Sequence, residues 1–375
     1  MELRKTHIYQ YHAEHGNVID FGGFAMPVWY EGIIPEHKAV RETCGIFDTS
    51  HMGRVYAEGP EVVKFLDYVD TNDIGALIDG KGVYGVICKP DGGIVDDLIV
   101  YRQSAEKFLV VYNAGNRAKD FAWLQKNTKG FKVKLTDVSD KVSMIAIQGP
   151  KAAEVLAKIA ATDPNAIERF NIAPIKISGF DCLTARTGYT GEDGFEVFIL
   201  EDPVTAPAKS LKIWNDLVTV GAEPCGLGAR DSLRLEAGLW LYGNDIDETT
   251  NPIEAGLKWV VKMKKSSYFN GRKALEGIIE KGVSRTLVGI TLTERGIPRH
   301  GYEVYDGEKK IGVITSGGVA PILNESIALA YLPPEYKEPG KEVQVKIRTN
   351  LVKGKIVKHH PFYDESKYGW KRVKA

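Results

Sequence analysis

The chain of 375 residues is 43% hydrophobic and 26% charged with a net charge of zero. This is typical of a globular protein of two or three domains whose main partner is not nucleic acid. The amino terminus lacks the apolar core of a signal peptide and no apolar run approaches bilayer length, so we expect no membrane association.

Cysteine usage points to the compartment. The four cysteines are scattered with no CxxC pair, at positions 44, 88, 182 and 225. This pattern indicates neither a zinc site nor a disulfide framework. We therefore expect no metal and a reducing, cytoplasmic setting.

The first part of the sequence predicts short strands with two helices. Residues 35–44 are predicted to form a helix, since Pro35 suits a first helical turn. From there to about residue 137 short strands dominate, and DDLIVYRQSAEKFLVVYNAG predicts an antiparallel hairpin. The segment GNRAKDFAWLQKNT that follows has helical spacing.

The second part predicts strand pairs, helices and then strands alone. VSMIAIQGPKAAEVLAKI predicts a strand that passes into an amphipathic helix with Pro150 near its first turn. KISGFDCLTARTGYTGEDGFEVFIL predicts a strand pair, and APAKSLKIWNDLVTVG another helix. Past residue 280, short strands between Gly, Pro and Asn turns predict an all-β domain. The mixed order of helices and antiparallel hairpins indicates an α+β fold.

Two adjacent aspartates, Asp96 and Asp97, interrupt a strand that otherwise appears buried on both faces. Alternation places Asp97 with Val95, Ile99 and Tyr101, and Asp96 with Ile94, Leu98 and Val100. Burying a carboxylate costs several kcal/mol unless partners compensate, so this pair is a candidate for chemistry. The alternative is that one Asp closes the turn at residues 92–93.

A second carboxylate, Glu196, begins an apolar strand after the glycines of GYTGEDG. It alternates onto a face with Phe198 and Leu200, although it could simply lie at a solvent-facing strand mouth. Aromatic residues near both carboxylates would suit a flat heterocycle with N–H donors, and four tyrosines lie close in sequence: Tyr84, Tyr101, Tyr112 and Tyr189.

Two arginines one helical turn apart form a third candidate feature. Arg230 and Arg234 share a face, and either could pair with a carboxylate of substrate or protein. A surface pair between Arg234 and Asp231 is the alternative.

The histidines and the basic carboxyl-terminal tail are weaker signals. His51, in DTSHMG, is the histidine of most interest, whereas His359 and His360 are predicted to be solvated rather than metal-binding. The tail KGKIVKHHPFYDESKYGWKRVKA could dock an acidic carrier protein or remain solvated.

Two sequences that resemble nucleotide-binding motifs are incomplete. GALIDGKG has Gly82 where a phosphate-binding loop needs Ser or Thr, and no helix pattern follows it. GLGARD lacks the third glycine of a dinucleotide fingerprint, and no strand leads into it.

Taken together, several strings resemble the glycine cleavage T-protein family of aminomethyltransferases. These are FGGFAMPVWY, GIFDTSHMG, GGIVDDLIV, VVYNAGN, IQGP, GYTGEDGFE, GLGARDSLRLEAGLWLYGNDIDETTNPIEAGLKW, IGVITSGG, ALAYLP and HPFY. The resemblance covers essentially the whole chain.

The resemblance implies a fold and a division into domains. Mixed antiparallel sheets and helices would surround a central folate channel, with a carboxyl-terminal all-β barrel or jelly-roll-like domain. The implied domains are a folate-binding α+β domain of residues 1–50 with 138–278, a sheet-and-helix domain of residues 51–137 that carries the catalytic Asp, and a β domain of residues 279–375.

The resemblance also implies roles for particular residues. Asp97 matches the catalytic aspartate, whereas Asp96 would be structural, and Glu196 matches the carboxylate that binds the pterin. The remaining matches to the folate or substrate site are Met52, Tyr84, Asn113, Tyr189, Arg230, Trp259 and Tyr368.

The implied reaction moves a methylene carbon from aminomethyl-lipoyl H-protein to tetrahydrofolate, with release of ammonia and dihydrolipoyl H-protein. Tetrahydrofolate is thus the co-substrate and lipoylated H-protein the partner. A carboxylate near the attacking nitrogen could position it, accept its proton or stabilise developing positive charge.

Two rival functions are a folate-dependent demethylase and a folate-binding protein of the same fold without transferase activity. The Cys-containing motif of the iron–sulfur assembly relatives is missing, and the absence of a dinucleotide fingerprint disfavours the flavin-linked dehydrogenases.

Overall fold

The computed structural model describes residues 2–200 and 208–373. In these ranges the α-helices are α1 (Tyr9–His15), α2 (Ile33–Glu42), α3 (Val62–Val69), α4 (Arg117–Asn127), α5 (Ala152–Ala157), α6 (Ala208–Thr219), α7 (Leu227–Glu236) and α8 (Arg272–Lys281). The strands are β1 (Asn17–Phe21), β2 (Phe24–Trp29), β3 (Gly45–Asp48), β4 (Gly53–Glu58), β5 (Gly82–Cys88), β6 (Ile94–Ser104), β7 (Lys107–Tyr112), β8 (Lys134–Asp137), β9 (Val142–Gln148), β10 (Ile172–Ile177), β11 (Phe180–Ala185), β12 (Gly194–Leu200), β13 (Glu223–Pro224), β14 (Thr286–Leu292), β15 (Glu303–Asp306), β16 (Lys309–Ala320), β17 (Glu325–Leu332), β18 (Glu342–Ile347) and β19 (Asn350–Val357).

A six-stranded sheet in the order β10-β11-β12-β9-β3-β13 forms the first layer. Apolar residues of α5 and α6 cover one face of it, with Leu156 and Trp214 packed against Phe195 and Val197 of β12. This packing uses the odd-numbered residues of β12, so Glu196 is directed to the opposite face.

A five-stranded antiparallel sheet in the order β5-β6-β7-β4-β8 forms the second layer. Helices α3 and α4 pack on one face, where Phe65 and Leu124 join Leu98 and Val100 of β6 in one core. A bulge opposite Ile87 and Cys88 adds one residue to β6, so Val95 joins this core rather than the face of Asp97. The prediction that Val95 shares a strand face with Asp97 is therefore wrong.

The two sheets meet through the other face of the β6–β7 hairpin. Tyr101 and Leu109 pack there with Met144 and Phe198 of the six-stranded sheet. The aspartates of β6 and Glu196 of β12 thus lie on elements that pack against each other.

The carboxyl-terminal strands form a closed barrel in the order β14-β17-β16-β15-β18-β19, since β14 also pairs with β19. Of the two predicted alternatives, a barrel and a jelly-roll-like domain, the barrel is therefore correct. After β19 the chain returns to the six-stranded sheet, where the backbone N–H of Trp370 donates to the Gly191 carbonyl at 2.9 Å. Gly191 has a φ of +80° and lies so close to Tyr363 that a Cβ would clash with its hydroxyl.

Most predicted elements are confirmed. The α+β fold, the β6–β7 hairpin, and the helices near 35–44 and 117–127 are present, although α2 begins two residues earlier, at Ile33. Pro150 lies two residues before α5, near its first turn as predicted, and the sequence prediction missed α3 in a region assigned to strands. Of the helix predicted over APAKSLKIWNDLVTVG, residues 206 and 207 lie outside the described residues.

The predicted domain boundaries stay predictions.

Among the described residues, no helix combines the length and apolar character needed to cross a membrane.

Candidate active site

A cavity of about 1300 Å³ lies among the two sheets, α7, the barrel and the carboxyl-terminal segment. Its size exceeds the few hundred to ~1000 Å³ typical of one small-molecule site. All the predicted site residues line it: Met52, Tyr84, Asp97, Asn113, Tyr189, Glu196, Arg230, Trp259 and Tyr368. The fold therefore brings together side chains that are up to 316 positions apart, from Met52 to Tyr368.

Asp97 is held by two hydrogen bonds at the edge of this cavity. The Tyr84 hydroxyl donates to Oδ2 at 3.0 Å, and the Asn113 side-chain amide donates to Oδ1 at 2.7 Å. Both partners follow from strand register, because Tyr84 is a diagonal neighbour on β5 and Asn113 extends β7 opposite Asp97. Burial, reinforced by the charge of Asp96, raises the pKa of Asp97 to about 7.

Asp96 faces away from the cavity and fixes the turn after β7. Its carboxylate accepts the Asn113 backbone N–H at 3.1 Å and the side-chain amides of Asn113 and Asn116, each at 2.9 Å. Asn113 thus bridges both aspartates. The turn at residues 92–93 is closed by Asp91, whose side chain accepts the Gly93 N–H at 3.0 Å. The turn-closing alternative for Asp96 or Asp97 is therefore wrong.

Glu196 is buried in the middle of its strand, so the solvent-facing alternative is wrong. Thr187 donates to its Oε2 at 2.5 Å, and the Tyr101 hydroxyl of the other sheet lies 3.3 Å from the same oxygen. Burial is the largest influence on this carboxyl and raises its pKa. The sequence placed Tyr101 near a carboxylate, and the fold shows that this carboxylate is Glu196.

Aromatic rings line the cavity on two sides. The rings of Tyr84 and Trp259 stack with centroids 5.8 Å apart, and Trp259 remains 52% exposed. On the other side the Arg230 guanidinium lies 4.7 Å from the centre of the Tyr189 ring, whose hydroxyl donates to the Trp240 carbonyl. Trp259 therefore presents free aromatic surface to a ligand.

The two arginines of α7 behave differently. Nη1 of Arg230 is buried and has no hydrogen-bond partner among the described residues, and burial lowers the pKa of this group. Arg234 does pair with Asp231, but it is buried and also donates to Asp245 at 2.9 Å. The pair with Asp231 is therefore present as that alternative proposed, but Arg234 itself is buried, and Arg230 is the arginine with a donor available for a ligand.

His51 also lines the cavity. It is 3% exposed, packs against the ring of Phe21, and its Nδ1 has no hydrogen-bond partner within the part of the chain that the structure describes. Burial lowers its pKa to about 3, so the ring is neutral at physiological pH. The sequence prediction assigned it no role.

The carboxyl-terminal segment packs on the protein instead of being solvated. Arg372 donates to Glu192 at 2.8 Å, and Arg41 lies 4.7 Å from the centre of the Tyr363 ring. The His360 ring lies 5.2 Å from that of Trp240, and burial lowers the pKa of His359 to about 4. The prediction of a freely solvated tail is thus wrong, and His359 is half-buried, whereas His360 is exposed as predicted.

The sequence prediction missed two polar residues, one in the turn before α4 and one in α4 itself. Asn116 lies in the same NAGN string as Asn113, and Asp120 is one helical turn further along. The spacing of four between them was the available signal. In the described ranges, no three His, Cys, Asp or Glu side chains are grouped to hold a metal ion.

The sequence matches two domain families that together span most of the chain. Residues 8–265 match the GCVT N-terminal domain, and residues 285–364 match the glycine cleavage T-protein C-terminal barrel domain.

Similar proteins match along nearly their whole length. Proteins named aminomethyltransferase from Halothermothrix orenii and Listeria monocytogenes are 42% and 44% identical over 95% and 98% of this chain, and 99% of each relative is covered. The crystal structure of glycine cleavage system aminomethyltransferase T from Bartonella henselae is similar with a TM-score of 0.89 at 36% identity, covering 98% of this chain and 99% of that one.

The fold and the site thus define a multidomain α+β protein with a central ligand cavity closed by a β-barrel and a carboxyl-terminal segment. The chain belongs to the glycine cleavage T-protein family of aminomethyltransferases.

Proposed function

We propose that this chain is the tetrahydrofolate-dependent aminomethyltransferase of a glycine cleavage system, with Asp97 as its catalytic residue. It transfers the methylene carbon of aminomethyl-lipoyl H-protein to tetrahydrofolate and releases ammonia and dihydrolipoyl H-protein. The observation that carries the proposal is a half-buried carboxylate that Tyr84 and Asn113 fix at the edge of a cavity large enough for two reactants.

The cavity residues fit a folate. Glu196 is a buried acceptor for adjacent N–H donors of a pterin, and the carboxylate is oriented by Thr187. Trp259 offers a half-exposed ring for stacking, and Nη1 of Arg230 offers a donor that no protein group uses. Tyr189, Met52, Asn113, Tyr84 and Tyr368 would complete the binding surface.

Tetrahydrofolate supplies the amine nitrogen that takes the one-carbon unit. The Asp97 carboxylate is partly removed from water, so its charge acts more strongly than it would in bulk solvent. It is therefore placed to accept a proton from that amine or to stabilise the positive charge that develops as the C–N bond of the donor breaks. Tyr84 and Asn113 keep its two oxygens in a fixed orientation, so no rearrangement is needed during the reaction.

The partner is lipoylated H-protein, whose arm must reach Asp97 through the cavity mouth. Basic side chains line the cavity and suit an acidic carrier surface: Arg169, Arg299, Lys358 and Lys371. We place the protein in the cytoplasm, where its four buried free cysteines remain reduced.

The test is ammonia release from aminomethylated H-protein with and without tetrahydrofolate. Rapid release only in the presence of tetrahydrofolate supports the proposal. Folate binding without release would instead indicate a binding protein, and transfer of a methyl group from another methylated donor to tetrahydrofolate, without ammonia release from H-protein, would indicate a demethylase.

A further inference from the structure

Asp120, on the inner face of α4, is a buried carboxyl that the reaction described above does not use. It is fully buried, and neither of its oxygens has a hydrogen-bond donor among the described residues. Its side chain lies beside the carboxyl of Asp96, which contributes to the raised pKa of Asp120. The geometry of α4 explains the contact, because Asn116 donates to Asp96 at 2.9 Å and Asp120 lies one turn further on the same face.

Two carboxyls in contact in a buried site cannot both be ionised, so the pair holds a proton. Asp96 accepts three N–H hydrogen bonds from Asn113 and Asn116. Asp120 accepts none. The proton therefore resides on Asp120, whose O–H donates to Asp96.

The single cation close to Asp120 in the described ranges does not reverse this assignment. Lys119 Nζ is 3.8 Å from Oδ1 of Asp120, too far for a hydrogen bond, and it donates to the Val95 carbonyl at 2.6 Å and the Tyr242 hydroxyl at 2.8 Å. The titratable groups that face Asp120 are Asp96 and Asp97 of β6, Tyr112 of β7, Tyr242 of the segment after α7, and Lys119 of α4 itself. Burial, followed by Asp96, raises the pKa of Asp120 to about 11.

We propose that Asp120 is a positioning residue for Asp97: a neutral carboxylic acid whose O–H holds Asp96, which holds Asn113, which in turn orients the catalytic carboxylate. Asn113 makes the last link, since its side-chain amide is 2.9 Å from Asp96 and 2.7 Å from Asp97. A neutral Asp120 also limits the three carboxyls to two negative charges, which keeps Asp97 able to ionise near neutral pH. The inference rests on the proposed function, because it assigns Asp97 the catalytic role.

Infrared spectroscopy of the full-length protein at pH 9 tests the protonation directly. The carboxyls with pKa values raised to about 7, Asp97 and Asp70, are ionised at this pH. We expect the carbonyl stretch of a protonated carboxylic acid in the wild type and its loss in Asp120→Asn. Absence of this band in the folded wild type would overturn the inference.

Kinetics with aminomethylated H-protein test the positioning role. Asp120→Asn keeps a neutral donor, so we expect kcat within about threefold of wild type and an unchanged acid limb of the pH profile. Asp120→Ala loses the donor and should lower kcat about 10- to 100-fold with little change in KM. If Asp120 were ionised, Asp120→Asn would instead move the acid limb down by about one pH unit, and that result would contradict the inference.

The two measurements also separate this inference from the proposed function. The infrared band does not depend on catalysis, so its presence in a protein without transferase activity would refute only the function. An active enzyme without the band would refute only the role of Asp120.

Discussion

Asp97 and Glu196 are carboxylates that the fold brings into one cavity, and their partners differ in a way that suits different roles. Asp97 is bonded on both oxygens and lies beside a second carboxylate, which together with burial raises its pKa into the physiological range. The side-chain donors to Glu196 converge on a single oxygen, Oε2. Asp97 is thus suited to accept a proton, and Glu196 to bind donors of a ligand.

The raised pKa of Asp97 predicts the acid side of the pH profile. Because the ionised carboxylate is the active form, kcat should fall as the pH drops below about 7, approaching tenfold per pH unit. The measurement is kcat for ammonia release between pH 5 and 9 with saturating substrates. A profile that stays flat down to pH 5 would show that ionisation of Asp97 does not limit the reaction.

Glu196→Gln should weaken folate binding more than it slows turnover. A neutral amide loses charge-assisted hydrogen bonds to the pterin, so we expect Kd for tetrahydrofolate to rise about 10- to 100-fold. Calorimetric titration measures this, with Glu168→Gln, an exposed carboxylate on the surface, as the control. An unchanged Kd would remove Glu196 from the binding site.

At the scale of elements, the β6–β7 hairpin and the start of α4 form one unit held by Asp96. The turn after β7 carries Asn113 and Asn116, and both side chains donate to this single carboxylate. The conformation of this turn therefore depends on a carboxylate of β6, and not only on the residues of the turn itself.

Asp96→Asn should destabilise this unit, in addition to any loss of kcat that is transmitted through Asn113. The amide introduced at this position turns its own N–H donors toward the N–H donors of Asn113 and Asn116. We therefore expect the free energy of unfolding to fall by about 1 to 3 kcal/mol. Chemical denaturation measures the change, with Asp91→Asn in the exposed turn between β5 and β6 as the control. A stability equal to that of wild type would contradict the structural role of Asp96.

Sequence patterns predicted the elements that have a regular period or clear punctuation. The hairpin and α4 belong to this group, because a polar loop separates the two apolar runs of the hairpin and the apolar spacing of α4 is helical. The bulge at Val95 and the inward direction of Asp120 depend on neighbouring strands and helices, which alternation within one element does not encode. The roles of Asp97 and Glu196 came from resemblance, whereas their hydrogen-bond partners required the fold.

At the scale of the whole molecule, the cavity exists because the barrel directs the chain back to the six-stranded sheet. Residues after β19 cross this sheet and supply Tyr363, Tyr368 and Trp370 to the cavity wall. Composition assigns these residues to a basic tail, and only the positions of Gly191, Glu192 and Arg41 show that the segment packs.

Deleting residues 364–375 should open the cavity while leaving the sheets and barrel folded. The loss of aromatic wall contacts should raise KM for tetrahydrofolate up to about tenfold with a smaller effect on kcat. Steady-state kinetics and circular dichroism test this against Lys367→Gln, an exposed position in the same segment. An unchanged KM would show that this segment does not contribute to substrate binding.

The most direct test of the account compares Asp97→Asn with wild type in tetrahydrofolate-dependent ammonia release from aminomethylated H-protein. We predict that kcat falls about 10²- to 10⁴-fold while Kd for tetrahydrofolate changes little, and that Asp96→Asn loses far less kcat. Turnover at the wild-type rate in a folded Asp97→Asn protein would contradict the assignment of Asp97 as the catalytic residue.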